Sequence, residues 1–261
     1  MSEIKVEFAV KMCGPKCVDS VRKALHGMGD VQFDETEGRV VITTTEPWFK
    51  IQDKIESTGR KAVLSGYGGQ SAVAMINTTG RTIDRTPIQG VVRFSALTKD
   101  TAGVVVDGVV DGLTPGLHGL HVHETGDVSQ GCASVGAHYN PRNSPHGGRD
   151  DGPNERHAGD LGNIRADESG RANFRFIDPM IEVWDIIGRS VVITEHEDDL
   201  GRGQTPQSCI DGNAGRRLAC GIIARAAGIL QNYKSFCACD GVTLWDERNK
   251  PLAGGNRSQK L

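Results

Sequence analysis

Near the end of the chain, Cys237-Ala-Cys239 sets two thiols two residues apart. In an extended segment both sulfurs fall on one side, close enough to hold one Cu(I) between them. Thiolates are the soft ligands that Cu(I) prefers, and low coordination leaves the ion open to transfer. Oxidised, the pair would close a small strained ring and act as a disulfide donor. On spacing alone, chance surface thiols are the commoner meaning of such a pair.

A harder donor set lies in the middle of the chain. His138, His146, His157 and Asp160 fall within a long stretch, Glu124 to Gly162, that has little apolar periodicity. Three imidazoles and one carboxylate suit tetrahedral Zn(II), and His-x-x-Asp brings the last two from one turn. Such a site would offset the entropy of ordering so long a loop. His121 and His123 are spaced to project from one face of a strand; His118 has the opposite parity and reads as a structural hydrogen-bonding residue. Cys132 in the loop and Cys220 near the last strand are either two buried thiols or one tether. Cys209 has no evident partner and reads as an incidental loop thiol.

The elements that must position these groups fall into three stretches. Ile4, Val6, Phe8 and Val10 alternate as in a half-buried strand. Val18, Val21, Leu25 and Met28 recur at helical spacing, with Cys17 at the helix start and Gly27 and Gly29 closing it. Strands follow at Val31–Phe33 and Arg39–Thr44, then a helix opened by Pro47 with a Trp48, Ile51, Ile55 stripe, then a strand at Lys61–Leu64. The order βαββαβ predicts a small α/β ferredoxin-like domain over residues 1–68. After the joint Gly66–Gln70, short apolar runs at Ala72–Ile76, Gly90–Ser95, Gly103–Val110, His118–His123, Ala172–Phe176, Ser190–Ile193 and Gly221–Ala226 predict an all-β antiparallel barrel or sandwich over 69–230. Residues 231–261, with few apolar side chains and a basic end, are expected to be largely unstructured alone.

The composition narrows the setting. A net charge of -3 with mixed signs gives no footprint for nucleic acid. The first residues lack a secretory pattern, and no apolar run has the length of a membrane anchor. A reducing cytoplasm is the expected location, where thiols more often hold metal or do redox work than staple a fold.

Gly116-Leu-His-Gly-Leu-His-Val-His-Glu124, His138-Tyr-Asn-Pro141, His146-Gly-Gly148, Glu155–Asn163, Asp198–Gly203 and Gly212–Gly221 resemble the Cu,Zn superoxide dismutase family. The resemblance spans roughly 72–228. It implies a Greek-key barrel, zinc on His138, His146, His157 and Asp160, a Cys132–Cys220 disulfide, and copper positions at His121, His123 and His138. It departs at Thr194, where those enzymes carry a fourth copper histidine; a neutral hydroxyl is a poor copper ligand beside imidazole. His196, two residues on, could share the strand face and rescue the site. Arg217 matches the arginine that guides superoxide in the enzyme and reads here as inherited scaffold. The three-histidine copper site is therefore vestigial, and dismutase activity is not expected.

Cys237-Ala-Cys-Asp-Gly241 with Leu244–Arg248, and the run Phe8–Leu25, resemble the copper chaperones of that enzyme. In the first domain of that family two cysteines bind copper in Met-x-Cys-x-x-Cys; here Met12-Cys13-Gly-Pro-Lys-Cys17 shifts the first of them by one place. The resemblance implies a non-enzymatic metallochaperone that carries Cu(I) on Cys13 and Cys17 or on Cys237 and Cys239. Its barrel would form a heterodimer with immature Cu,Zn superoxide dismutase through the surface near Ile187, Gly188 and the last strand. The tail would deliver copper and promote the target's disulfide. The same face could also pair two copies as a homodimer.

Overall fold

A computed structural model describes residues 3–12, 14–35, 37–80, 87–97 and 103–227. The expectations placed on Cys13, Cys237, Cys239 and the segment 231–261 lie outside them. The chain divides into two compact units.

The first unit is βαββαβ: β1 (Ile4–Val10), α1 (Pro15–Ala24), β2 (Asp30–Asp34), β3 (Arg39–Thr44), α2 (Trp48–Glu56) and β4 (Ala62–Tyr67). Its antiparallel sheet has the order β2-β3-β1-β4. Of the apolar stripes anticipated from spacing, Val18, Val21 and Leu25 in the first and Ile51 and Ile55 on α2 are buried, while Met28 and Trp48 are only half-buried. Burying such stripes is worth about 1.5–3 kcal/mol per large side chain. β1 differs from the half-buried strand expected, because Glu7 and Ala9 are buried as well. It lies between β3 and β4, and the Ser65 hydroxyl of β4 donates to the Glu7 carboxylate at 2.9 Å. The helix also ends at Ala24, one turn before Met28.

The second unit holds β5 (Ser71–Asn77), β6 (Gln89–Ala96), β7 (Val104–Asp111), β8 (Gly116–His123), β9 (Ser129–Cys132), β10 (Asp160–Ala166), β11 (Ala172–Asp178), α3 (Val183–Ile186), β12 (Ser190–Thr194), α4 (Ser208–Asp211) and β13 (Arg217–Arg225). Eight of these strands close a barrel in the order β10-β11-β7-β6-β5-β13-β12-β8. The neighbours β7–β11 and β8–β12, which are not consecutive, make the Greek-key crossovers. Inward residues such as Val92, Phe94, Leu120, Val122, Ile164 and Ile193 fill one core.

Seven barrel strands lie where alternation places them. The eighth, β10, corrects the reading of a structureless segment as far as Gly162. Its pairing with β8 shifts register between Asp160 and Asn163, so Leu161 and Ile164 are both buried although they break the two-residue period.

Candidate metal centre

β8 sets the first donors. His121 and His123 share one of its faces and are almost wholly buried. His118 faces the other way, its ring nitrogens 2.8 Å from the carbonyl oxygens of Thr194 and Thr114, a structural pairing. His138 enters from the loop as a bridge opposite His123. Beside it the Tyr139 N–H donates to Val122 O at 2.8 Å, and the Gly159 N–H donates to Tyr139 O at 2.8 Å. A Cβ on Gly159 would collide with the Val122 carbonyl, so only glycine lets these backbones approach. Asp160 then opens β10 directly across from His121.

The Asp160 carboxylate is the centre of the cluster. Oδ1 lies 2.8 Å from His138 Nδ1 and 3.2 Å from His157 Nδ1, and Oδ2 lies 3.0 Å from His146 Nδ1. The backbone N–H groups of Gly147 and His157 donate to Oδ2. The donor atoms of His138, His146, His157 and Asp160 all fall within 4.8 Å of one another. His146 Nδ1 is close to its oxygen yet makes no hydrogen bond, as for two donors that face a common third point. This set of three imidazoles and a carboxylate fits tetrahedral zinc.

Asp198 was missed from sequence. Its Oδ1 lies 2.8 Å from His146 Nε2 and its Oδ2 lies 2.8 Å from His121 Nε2. The carboxylate is itself fixed by the Leu200 N–H, and the Asp198 backbone by Asn163. Asp198 thereby orients one residue of the zinc set and one of the copper set, the task of a second coordination shell. A Cβ on Gly212 would overlap this carboxylate, which explains the glycine there. The only sequence signal was the acidic pair Asp198-Asp199 inside a family motif.

Electrostatics follow the same geometry. Burial opposes charge on His146, but the Asp160 and Asp198 carboxylates outweigh it and push its pKa up to about 10. Burial also opposes charge on Asp160 and Asp198, and their histidine partners overcome it and hold both carboxyls below the usual range. Burial and neighbouring imidazoles push His138 down to about 3 and His123 well below its ordinary value. Zinc needs the neutral His146 ring, so binding must expel a proton throughout neutral pH. Zinc affinity is therefore expected to rise about tenfold per pH unit, levelling off near pH 10. Calorimetry in buffers of different ionisation enthalpy reads that proton directly; a heat independent of buffer would refute it. Without metal the sign reverses. The raised pKa of protonated His146 stabilises the fold fully below about pH 6.5, and that contribution fades as pH rises through about 10.

The copper positions are less complete. His123 Nδ1–H donates to Gly136 O at 3.0 Å, which leaves Nε2 as a bare lone pair, and His121 Nε2–H faces Asp198, which leaves Nδ1 bare. Both bare nitrogens are buried and have no partner, as expected of ligands. Among the described residues His123 nevertheless belongs to neither tight donor group; the second comprises His121, His146 and Asp198. Thr194 is buried, and its hydroxyl donates at 3.3 Å to backbone carbonyls of Gly119 and His196. His196 does not rescue the site: two-thirds of its side chain is in solvent, because the strand pairing slips after Ile193. A cavity of about 120 Å³ lies between His123, His138, Thr194 and Arg217. Arg217 donates to the carbonyls of Cys132, Ala133 and Gly136 and so ties the loop to β13.

Cys132 and Cys220 are joined by a disulfide, with Cα atoms 5.7 Å apart across 88 residues. A bridge closing so long a loop contributes about 4–5 kcal/mol in the chain-entropy picture. Wholly buried Arg156 donates to Asp160 O at 2.7 Å and pairs with Asp178 at 2.6 Å. Arg156→Ala strands the Asp178 carboxylate in the core. It is expected to cost about 3–5 kcal/mol in denaturant unfolding, and an unchanged midpoint would remove Arg156 from this role. In the first unit Cys17 is half-buried in the first turn of α1. Cys209 is exposed on α4.

Residues 88–223 match the copper/zinc superoxide dismutase (SODC) family. Over 97% of its length the chain is 51% identical to the human copper chaperone for superoxide dismutase and 50% identical to that of the mouse, covering 92% of each. The barrel alone is 49% identical to superoxide dismutase [Cu-Zn] A of Xenopus laevis, over 52% of this chain and 89% of that one. Among solved structures the clock protein EA4 superposes with a TM-score of 0.53 at 40% identity, over 59% of this chain and 93% of that one. The chain thus belongs to the copper chaperones for superoxide dismutase, with a barrel of the copper/zinc superoxide dismutase family.

Proposed function

We propose that this protein is a cytoplasmic metallochaperone that pairs with immature Cu,Zn superoxide dismutase, delivers Cu(I) to it and promotes its intrasubunit disulfide. The observation that carries the reading is buried Thr194. It stands where an active dismutase needs a fourth imidazole, its hydroxyl spent on backbone carbonyls beside two bare histidine nitrogens. Copper there would lack the four-nitrogen set that supports redox cycling. The barrel therefore serves recognition.

Zinc held by His138, His146, His157 and Asp160 supplies structural order to the loop. The docking surface is the face around Ile187 and Gly188. Trp184 is 66% exposed and Ile222 41% exposed, and the Gly188 N–H donates to Ile223 O at 2.9 Å, which sets the last strand beside this corner. A Cβ built on Gly188 meets nothing, so that backbone is open to a partner.

Cu(I) is cargo, gathered by Cys13 and Cys17 or by Cys237 and Cys239, and passed on through shared thiolates. In the disulfide step, which follows release of copper, a two-electron oxidant such as molecular oxygen first joins Cys237 to Cys239, and that disulfide is attacked by one thiolate of the target. A mixed disulfide forms, and the target's second thiolate displaces the tail sulfur. The target gains one disulfide as the tail becomes two thiols, so the exchange balances.

Two measurements test the reading. Ile187→Asp with Gly188→Asp is expected to abolish pairing with metal-free dismutase in size-exclusion chromatography and to bring its activation to background. Loaded with copper and zinc, the unmodified protein is expected to show no dismutase activity, and Thr194→His to gain some. High activity in the unmodified protein would make it an enzyme instead.

A further inference from the structure

Tyr139 joins the donor cluster, by its backbone, to the α3 corner, by its side chain. Its chain neighbour is His138. Its N–H donates to Val122 O, between His121 and His123. Its carbonyl accepts from Gly159 N–H, one residue before Asp160 and two after His157. The backbone of Tyr139 is thus clamped by residues that themselves belong to the metal cluster. The ring continues into the barrel core and is 7% exposed.

The far end of this side chain leaves the cluster altogether. The Tyr139 hydroxyl donates to Asp185 Oδ2 on α3, the element that carries exposed Trp184 and leads into Ile187 and Gly188. The Arg189 guanidinium lies 3.7 Å from the Tyr139 ring centroid, donates through Nε to Asp185 O at 2.8 Å, and through Nη1 to Glu124 O at 2.7 Å. Glu124 opens the zinc loop, so Arg189 pins the loop's start to the same corner. Two side chains, one from each side, join the zinc loop to the docking face.

We infer that Tyr139 is a positioning residue that makes docking depend on zinc, by holding the α3 corner through Asp185 and Arg189 only when the zinc cluster fixes its backbone. The inference rests on the docking reading above and deepens it. Between Tyr139 and Ala158 no apolar side chain is buried, while the disulfide and Arg217 hold the loop only at Cys132, Ala133 and Gly136, so without the ion the stretch that begins at Tyr139 is the part that loosens. Asp185 would then lose its donor, Arg189 its ring, and the corner bearing Trp184 its single orientation. A partner that needs this corner ordered would pay for the ordering on binding.

The test uses the full chain, zinc-loaded or stripped with chelator, and metal-free, disulfide-reduced Cu,Zn superoxide dismutase carrying a fluorescent label. Zinc is expected to tighten pairing on the order of tenfold, a usual size for coupling between sites. Tyr139→Phe keeps the ring and the core but deletes the donor. It should bind zinc with unchanged affinity while the zinc effect on pairing falls below about twofold. Asp185→Asn retains an acceptor oxygen and should keep most of the effect. Amide hydrogen exchange over 183–189 gives a reading that needs no partner: zinc should slow it in the unmodified protein and leave it unchanged in Tyr139→Phe. Full zinc dependence in Tyr139→Phe overturns the inference. Pairing that ignores zinc in the unmodified protein also overturns it and leaves the docking reading standing. No pairing in either state ends both.

Discussion

Serine in place of both Cys237 and Cys239 is expected to bring copper delivery and disulfide formation in an apo-dismutase to the level seen with no chaperone. The expectation follows from ligand chemistry. A hydroxyl is a hard, neutral donor that does not compete for Cu(I), and it cannot enter thiol–disulfide exchange at all. Both positions follow Arg225, the last residue of the final barrel strand, in sequence, so zinc content and pairing with the target should be untouched, which separates failed transfer from failed recognition. The measurement is a time course of target activity with parallel thiol alkylation to follow the bridge. Normal activation by the double variant would move delivery to Cys13 and Cys17. The corresponding double serine variant at those positions then shows whether the first unit alone suffices.

Asp160→Ala should have the largest effect on the barrel itself. One carboxylate faces His138, His146 and His157 and accepts two backbone N–H groups. Its removal leaves those buried donors without an acceptor and takes away the only anionic ligand of the zinc set. Breaking a buried charge cluster from one side typically costs about 3–5 kcal/mol. For a barrel of this size that corresponds to a fall of about 10 °C in Tm. The sharper reading is ligand dependence: added zinc raises the Tm of a protein that binds it in the folded state only. Zinc should stabilise the unmodified barrel and leave Asp160→Ala unmoved. A variant that zinc still stabilises would place the ion elsewhere.

The two variants bear on different halves of the proposed work. One removes the exchangeable soft sulfur pair; the other removes the fixed, buried, hard centre. A protein that hands copper on needs both properties in separate places, because an ion held by several buried nitrogens leaves slowly while an ion on only two thiolates can be shared with a third. Under the proposed reading Thr194 stands in place of a fourth imidazole, so the buried site offers copper no competing four-imidazole trap.

Much of this was present in the order of residues. The periods of 2 and 3.6 placed the βαββαβ unit and seven barrel strands, because alternation and helical stripes are local properties of a chain. That His138, His146, His157 and Asp160 could share one tetrahedral site was legible from residue type and the His-x-x-Asp spacing, and the fold does bring their donor atoms together; the weight on Thr194 rests on its place in a motif. What remained hidden depended on contacts between residues remote in sequence. Asp198 meets His121 across 77 positions and His146 across 52, and Tyr139 meets Asp185 across 46. No local pattern encodes such pairs; they exist only once the barrel closes and the loop folds back over β8. The same holds for His196, whose spacing allowed a ligand role until the strand pairing slipped after Ile193 and turned it to solvent. Residue types and spacing determined which chemistry was available, and the closed barrel decided which donors share a site, because burial and orientation are properties of the packed whole.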